Sequence, residues 1–456
     1  MRTTLILLIA VATCAPLRAG ERPLTPSPRP GGEGPGLRAE RKGPLKDLPS
    51  KPAGAHLAKI KSLGDGAWVD LGAPTPDPKW GKAPGRAWAS RMPFAPDLRG
   101  AFLFGEGAHG AVVNGHYMDD LWFYDINRHR WVCVYPGINV ETGYKGFTIN
   151  KDGFETNPEG HPVPVASMVH AYNVVTYDTD RKRFMSLPNA QHYCWNRIKG
   201  RLEFLTANID KFYSESHTPR LKKGQVRNHR PNKPSPWMYD TQKGHWQRYR
   251  CKATKAPAGH MGLLQYIPTR KMVLSSTGGR GSAWYDPEKK DWSAIPKKGE
   301  LPKIYYDFNA VYDSKRDRVY MGGGLPIAKK GQSALWCFDV KTETFKHLEP
   351  KGSPGTTLYA TNRAIMNYDS VNDVVVLFLH GIREVHGGKR GIYVYHPDRN
   401  EWETVSKQPK ELMPHIHYRN MLNGFYDPEL NVHILHRAGD SRQNGTMSAW
   451  RYKRRK

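Results

Sequence analysis

Six residues able to carry charge or move a proton recur at intervals along the chain: Arg91, His170, His260, Asp307, Arg363 and Arg419. Each stands a few positions ahead of an aromatic residue, and Asn173, Asn309, Asn362 and Asn420 lie close by. Guanidinium, imidazole and carboxamide groups gathered at one mouth suit an anion, and an Arg beside a His or Asp base could also transform one. His170, His260 and Asp307 are the catalytic candidates; Arg91, Asn173, Arg363, Arg419 and Asn420 are binding candidates. A wet channel lined with polar groups gives the same pattern without chemistry. A second set lies between residues 190 and 235, where ten Lys/Arg, among them Lys222, Lys223, Arg227 and Arg230, face Glu203, Asp210 and Glu215 for a net +7. Tyr193, Trp195, Phe204, Phe212 and Tyr213 are interspersed. Cations meet phosphate, sulfate or carboxylate, and aromatic faces stack on sugar rings. A basic loop folded over its own small core accounts for the same residues. His415–Ile416–His417 sets two imidazoles on one side of an extended segment, so His415 and His417 are candidate ligands for a divalent metal, zinc or copper. With 19 His in the chain, chance pairs are also expected.

The elements that must hold these residues show themselves as a repeat. An aromatic residue, usually followed by Asp, precedes a second large residue by seven positions. Tyr124 to Trp131, Tyr239 to Trp246, Tyr285 to Trp292, Phe338 to Phe345 and Tyr395 to Trp402 form one series. Tyr177 to Phe184, Tyr266 to Val273, Tyr312 to Val319, Tyr368 to Val375 and Tyr426 to His433 form a second, interleaved with the first. Each reads as strand, polar turn, strand. Two alternating hairpins make a four-stranded unit, and such units repeated at this pitch predict a β-propeller. Six units are counted; the long interval from Asp125 to Asp240 leaves a seventh as the alternative. The last unit ends at Thr446–Trp450 one strand short, and Ala67–Leu71 is the expected partner, closing the ring from the N-terminal side and removing exposed edges.

The paired glycines Gly278–Gly279 and Gly322–Gly323 after a second strand, with the Tyr-to-Trp spacing, resemble the kelch-repeat propeller family over residues 57–456. That resemblance implies an all-β fold of antiparallel blades. Galactose-oxidase-like propellers share the superfamily, and their copper centre needs a Tyr–Cys crosslink, a second Tyr and two His. Tyr193–Cys194 and His417–Tyr418 are the nearest fragments here, and they do not make the set. Propeller-fold polysaccharide lyases use an Arg or metal to neutralise a uronate and a His or Tyr to take the C5 proton. His170, His260, Arg363 and Arg419 have those types.

Residues 1–20 have the layout of a secretory signal peptide, with Arg2 followed by an apolar run from Leu5 to Ala12. Residues 21–55 are rich in Pro and Gly and predict a disordered linker. An exported chain is therefore expected, with no transmembrane segment. Cys133, Cys194, Cys251 and Cys337 allow three full pairings or none. The 456 residues hold 69 Lys+Arg against 42 Asp+Glu, a formal +27, and such a field draws polyanions. No nucleic-acid-binding motif accompanies the charge, so an acidic or sulfated glycan, an anionic surface polymer or an anionic protein fits an exported propeller better. The expected molecule is a monomeric carbohydrate-binding propeller whose long loops form the binding face. A lyase or sugar isomerase at the channel mouth, or a protein-binding scaffold, is the alternative.

Overall fold

The seven-residue spacing is a hairpin register. Tyr124 and Trp131, Tyr177 and Phe184, Tyr239 and Trp246, and Tyr285 and Trp292 are directly opposed across their turns, as are the corresponding residues of every other copy. Such cross-strand pairs are the unit of sheet stabilisation, worth roughly 0.2–1 kcal/mol each. The Asp after the aromatic shapes the turn. Oδ1 of Asp178, Asp240, Asp286, Asp313, Asp369 and Asp427 accepts the backbone N–H groups two and three residues on. The last turn residue then takes a left-handed conformation, at Arg99, His129, Lys182, Lys271, Lys290, Asp317, Glu343, Asp373, Asn400 and Asn431. Where that residue is Asp, Asn or His, the Tyr hydroxyl five residues earlier bonds its side chain. Tyr124–His129, Tyr312–Asp317, Tyr368–Asp373, Tyr395–Asn400 and Tyr426–Asn431 are joined in this way at 2.7–2.9 Å.

The computed structural model describes residues 41–49, 51–86, 89, 91–105, 112–164, 171, 173–187, 198–208, 211, 220–222, 225–227, 235–252, 262–302, 306–325, 335–352, 364–379, 391–405, 422–437 and 445–455. Its strands form six four-stranded antiparallel blades. Blade 1 comprises Phe94–Ala95, Gly100–Phe104, Leu121–Asp125 and Arg130–Tyr135; blade 2 Val175–Asp178, Arg183–Ser186, Trp237–Asp240 and His245–Gln247; blade 3 Leu263–Ile267, Met272–Ser276, Ser282–Asp286 and Asp291–Ala294. Blade 4 comprises Tyr306–Asp313, Arg318–Leu325, Leu335–Asp339 and Thr344–Leu348; blade 5 Ala364–Asp369, Val374–Leu379, Gly391–His396 and Glu401–Thr404. Blade 6 orders Leu422–Asp427, Val432–Arg437, Thr446–Trp450 and Trp68–Gly72, the last pair antiparallel with Trp68 opposite Trp450. No seventh blade is present among the described residues.

A blade cannot bury its own two faces, so the core lies between blades. Phe102 of blade 1 packs on Tyr177 and Phe184 of blade 2. Met185 meets Leu264 and Val273 across the next gap, and blades 3, 4 and 5 share one layer through Leu274, Met321 and Val375. Phe378 packs on Trp450 between blades 5 and 6, and Phe425 and Ile434 join Leu103 and Trp122 between blades 6 and 1. Ion pairs reinforce these contacts at the tight turns. Arg99 binds both oxygens of buried Asp427 at 2.8–2.9 Å, and Arg316 binds Asp373 through two nitrogens.

Two expectations change. The disordered stretch 21–55 does not extend through 41–55: Gly43–Leu45 forms a short 3-10 turn with Leu45 fully buried among Phe102, Phe123 and Trp246. Lys42 N–H donates to Gln242 O at 2.8 Å. Gly244 belongs to the same contact, because a Cβ there would stand 2.7 Å from Lys42 O. One leucine with a complementary groove offsets what the Pro/Gly-rich average conceals. The helix Ala55–Ser62 follows, burying Leu57 and Ile60. Cys133 and Cys337 are free and buried, so the full pairings of four are ruled out, and Cys251 is buried as well. Among the described residues no helix is long and apolar enough to cross a membrane.

Candidate ligand-binding face

The up-and-down strand order sorts the connections by face. Links within each hairpin are the tight turns, such as 96–99, 126–129, 268–271 and 397–400. Links between the second and third strands, and between blades, all leave from the opposite end, and all the long ones are there: 73–93, 105–120, 136–174, 187–236 and 405–421 among them. Charge is sorted with length. The connections of this face carry a formal +19, led by +7 in 187–236, +4 in 248–262 and +3 in 73–93, whereas the strands and tight turns of the blades come to −3. The scaffold is close to neutral, and the cationic excess of the propeller belongs to the connections that leave the strands at one end.

Over blades 1 and 2 this rim carries a lobe with its own core. Tyr117, Ile138, Tyr144 and Ile198 are buried together, and the helix Arg201–Ala207 packs on them through Phe204. Arg201, 3% exposed, pairs with Glu155 at 3.5 Å, and Tyr144 OH donates to the same carboxylate. Part of the basic insertion is therefore structural: Arg201 serves the lobe, not a ligand. Lys222 and Arg227 lie on a two-stranded hairpin, Arg220–Lys222 against Gln225–Arg227, in which Arg220 is directly opposite Arg227.

At the axis, Arg91 is placed by the bridge between its own backbone and Gly424 of blade 6. Its side chain crosses to blade 3, donating from Nη1 to Leu264 O at 3.0 Å and from Nη2 to Gln265 Oε1 at 2.5 Å. Both acceptors are neutral, and no carboxylate pairs with Arg91 among the described residues. Enclosure in protein lowers its pKa to about 10. Asn173 and Asn309 are also at the centre, but they are 3% and 2% exposed and bonded to each other at 3.1 Å, joining blade 2 to blade 4. Asp307 lies on the innermost strand of blade 4 near its long-loop end. His170, His260, Arg363, Arg419, Asn420, Lys223, Arg230, His415 and His417 lie outside the described residues. Among the described residues no cluster of three or more His, Cys, Asp or Glu is placed to hold a metal.

Gln265 has no counterpart in the sequence-derived ring, because nothing local marks the acceptor of an arginine 174 positions earlier. Arg86 and Asp120 are likewise revealed only by the fold. They form a buried pair at 2.9 Å between blades 6 and 1, with Trp122 Nε1 donating to the other Asp120 oxygen. The tight-turn face also bears a cleft of about 590 Å³ near the C-terminus. Arg399, Lys453, Arg454 and Arg455 share its wall with Asp65, Asp373 and Asp398, and Arg454 and Arg455 already donate to backbone carbonyls. Its charge is nearly balanced, so it offers an anion little.

Neither a protein-family model nor a curated protein matches the sequence. Among solved structures the chain is similar to an auxiliary nutrient binding protein from Bacteroides thetaiotaomicron VPI-5482, at 9% identity and a TM-score of 0.43, over 84% of this chain and 75% of that one.

Proposed function

We propose that the protein is an exported, kelch-like propeller that binds an anionic polymer, an acidic or sulfated glycan, on its long-loop face. The observation that carries the reading is the separation of charge: +19 in the connections of one face against −3 in the blades. A rim of this kind raises the local concentration of a polyanion and speeds its encounter. The hairpin register adds to it, since like charges directly opposite weaken a ladder unless a counter-ion lies between them, and Arg220 faces Arg227. The signal-peptide layout of residues 1–20 favours a glycan over nucleic acid as the polymer.

The test is retention on immobilised heparin and on a polyuronate, with Arg220, Lys222 and Arg227 reversed to Glu together. The variant elutes at markedly lower salt than the native protein while its melting temperature is unchanged. Equal elution, or a native protein that fails to bind either polymer at low salt, overturns the proposal.

A further inference from the structure

An unpaired guanidinium inside a protein is costly, and folded chains rarely keep one without a use. Arg91 is such a group. It retains some accessible surface, is held by a backbone carbonyl and a carboxamide, and has no carboxylate partner among the described residues. Those two acceptors use one hydrogen on each terminal nitrogen. Nε–H and the second hydrogen of each Nη are left over, arranged in the planar fork that matches the oxygens of a carboxylate, sulfate or phosphate.

The position is as informative as the charge. Arg91 precedes the innermost strand of blade 1, and Leu264 and Gln265 lie near the start of the innermost strand of blade 3. Those strands start at the long-loop end, so the guanidinium bridges the central channel beneath the basic rim. Gln265 is itself fixed, since its Nε2 donates to Tyr266 O at 2.8 Å. The neighbouring Asn173–Asn309 bond keeps the wall neutral and polar. A group entering along the axis therefore meets one preset cation, not a diffuse field.

We propose that Arg91 forms an axial site for a single oxyanion, the carboxylate or sulfate at one end of the bound polymer, so that the protein engages chain ends while the rim holds the flank. This inference rests on the polyanion reading, and it separates from it experimentally because the rim and the axis answer to different probes.

The experiment uses the full chain and an Arg91→Met variant, which keeps the length of the side chain and removes its charge. Melting temperatures are read in inorganic sulfate, inorganic phosphate and glucuronate against sodium chloride of equal ionic strength. The native protein gains several degrees in at least one of the three oxyanions, and the Arg91→Met protein gains none. Without added anion the variant melts within a few degrees of the native protein, because removing an uncompensated charge offsets the two hydrogen bonds lost by Leu264 O and Gln265 Oε1. Its retention on immobilised heparin falls far less than that of the Arg220, Lys222 and Arg227 reversals, which leave the anion shift intact. A full shift in Arg91→Met, no shift in the native protein, or a large drop in melting temperature for the variant without anion each overturns the axial site. Which anion gives the larger shift tells uronate from sulfated or phosphorylated ends. Loss of heparin binding by the native protein would instead end the polyanion reading.

Discussion

Acid should loosen the seam between blades 6 and 1 through one histidine. His436, on the second strand of blade 6, is fully buried against Trp131 with ring centroids 5.1 Å apart, and neither of its nitrogens has a partner. Burial, followed by the nearby Arg86 cation, lowers its pKa from 6.5 to about 3. The folded state thus refuses a proton that the unfolded chain accepts. A group depressed in this way contributes its full stability above pH 6.5 and loses it as the pH falls toward the folded value. Between pH 7.5 and 4.5 the loss from His436 alone is about 2–3 kcal/mol, taking about 1.4 kcal/mol per pH unit over the roughly two units below pH 6.5. His433, lowered to about 4 by burial against the opposing pull of Asp369, adds a similar term on the same strand. The perturbation is His436→Leu, which deletes two unsatisfied nitrogens and leaves His433 in place. Urea unfolding is measured for both proteins at each pH. The variant should match or exceed the native protein at pH 7.5, and its stability should fall about 2–3 kcal/mol less on going to pH 4.5. Parallel losses in the two proteins would refute the reasoning, because they would place the acid sensitivity elsewhere.

Other consequences can be checked in the same way. Replacing Arg99 with Met strands the carboxylate of Asp427, which is inaccessible to solvent, and should cost about 3–5 kcal/mol in urea unfolding. Asp427→Asn combined with Arg99→Met should recover part of that loss. Leu45→Ala should cost about 2–4 kcal/mol if the segment 41–49 is docked, and nothing measurable if it is a free tether. Cys133, Cys251 and Cys337 should resist maleimide labelling in the native state and label together on denaturation, as mapped by peptide mass spectrometry. All three are buried, and burial raises the Cys133 and Cys337 thiols, Cys337 to about 12, so access is closed and thiolate is scarce.

The scaffold was legible because its information is local. A Tyr and a Trp seven residues apart face each other across one turn, and a single hairpin reveals the register of all. The face that carries the long links followed from strand parity alone. The axis was only half legible. Arg91 could be marked as a binding candidate from its place before a strand, but its bonds to Leu264 and Gln265 depend on how three blades converge. Asn173 was read as a ligand group on its residue type, and its bond to Asn309 across the centre was not visible in the sequence. Arg201 was counted with the basic insertion because composition cannot tell a cation over a lobe core from one facing solvent. Leu45 was lost in the Pro/Gly average of its neighbours. One signal was present and passed over: the residue five places after each Tyr, whose identity decides whether the hydroxyl finds a partner within its own turn.

That last pattern means the repeat carries its own instructions for repair. Tyr285 is fully buried with its hydroxyl unpartnered, and the left-handed position of its turn is held by Lys290. Sister hairpins place Asn there, as Asn400 beneath Tyr395 and Asn431 beneath Tyr426. Copying that choice, Lys290→Asn, supplies the missing acceptor and a residue more at ease with positive φ, at the expense of a cation contact with Tyr249. An engineer wishing to harden this molecule need not search sequence space; the better blades already display the solution that the weaker ones lack.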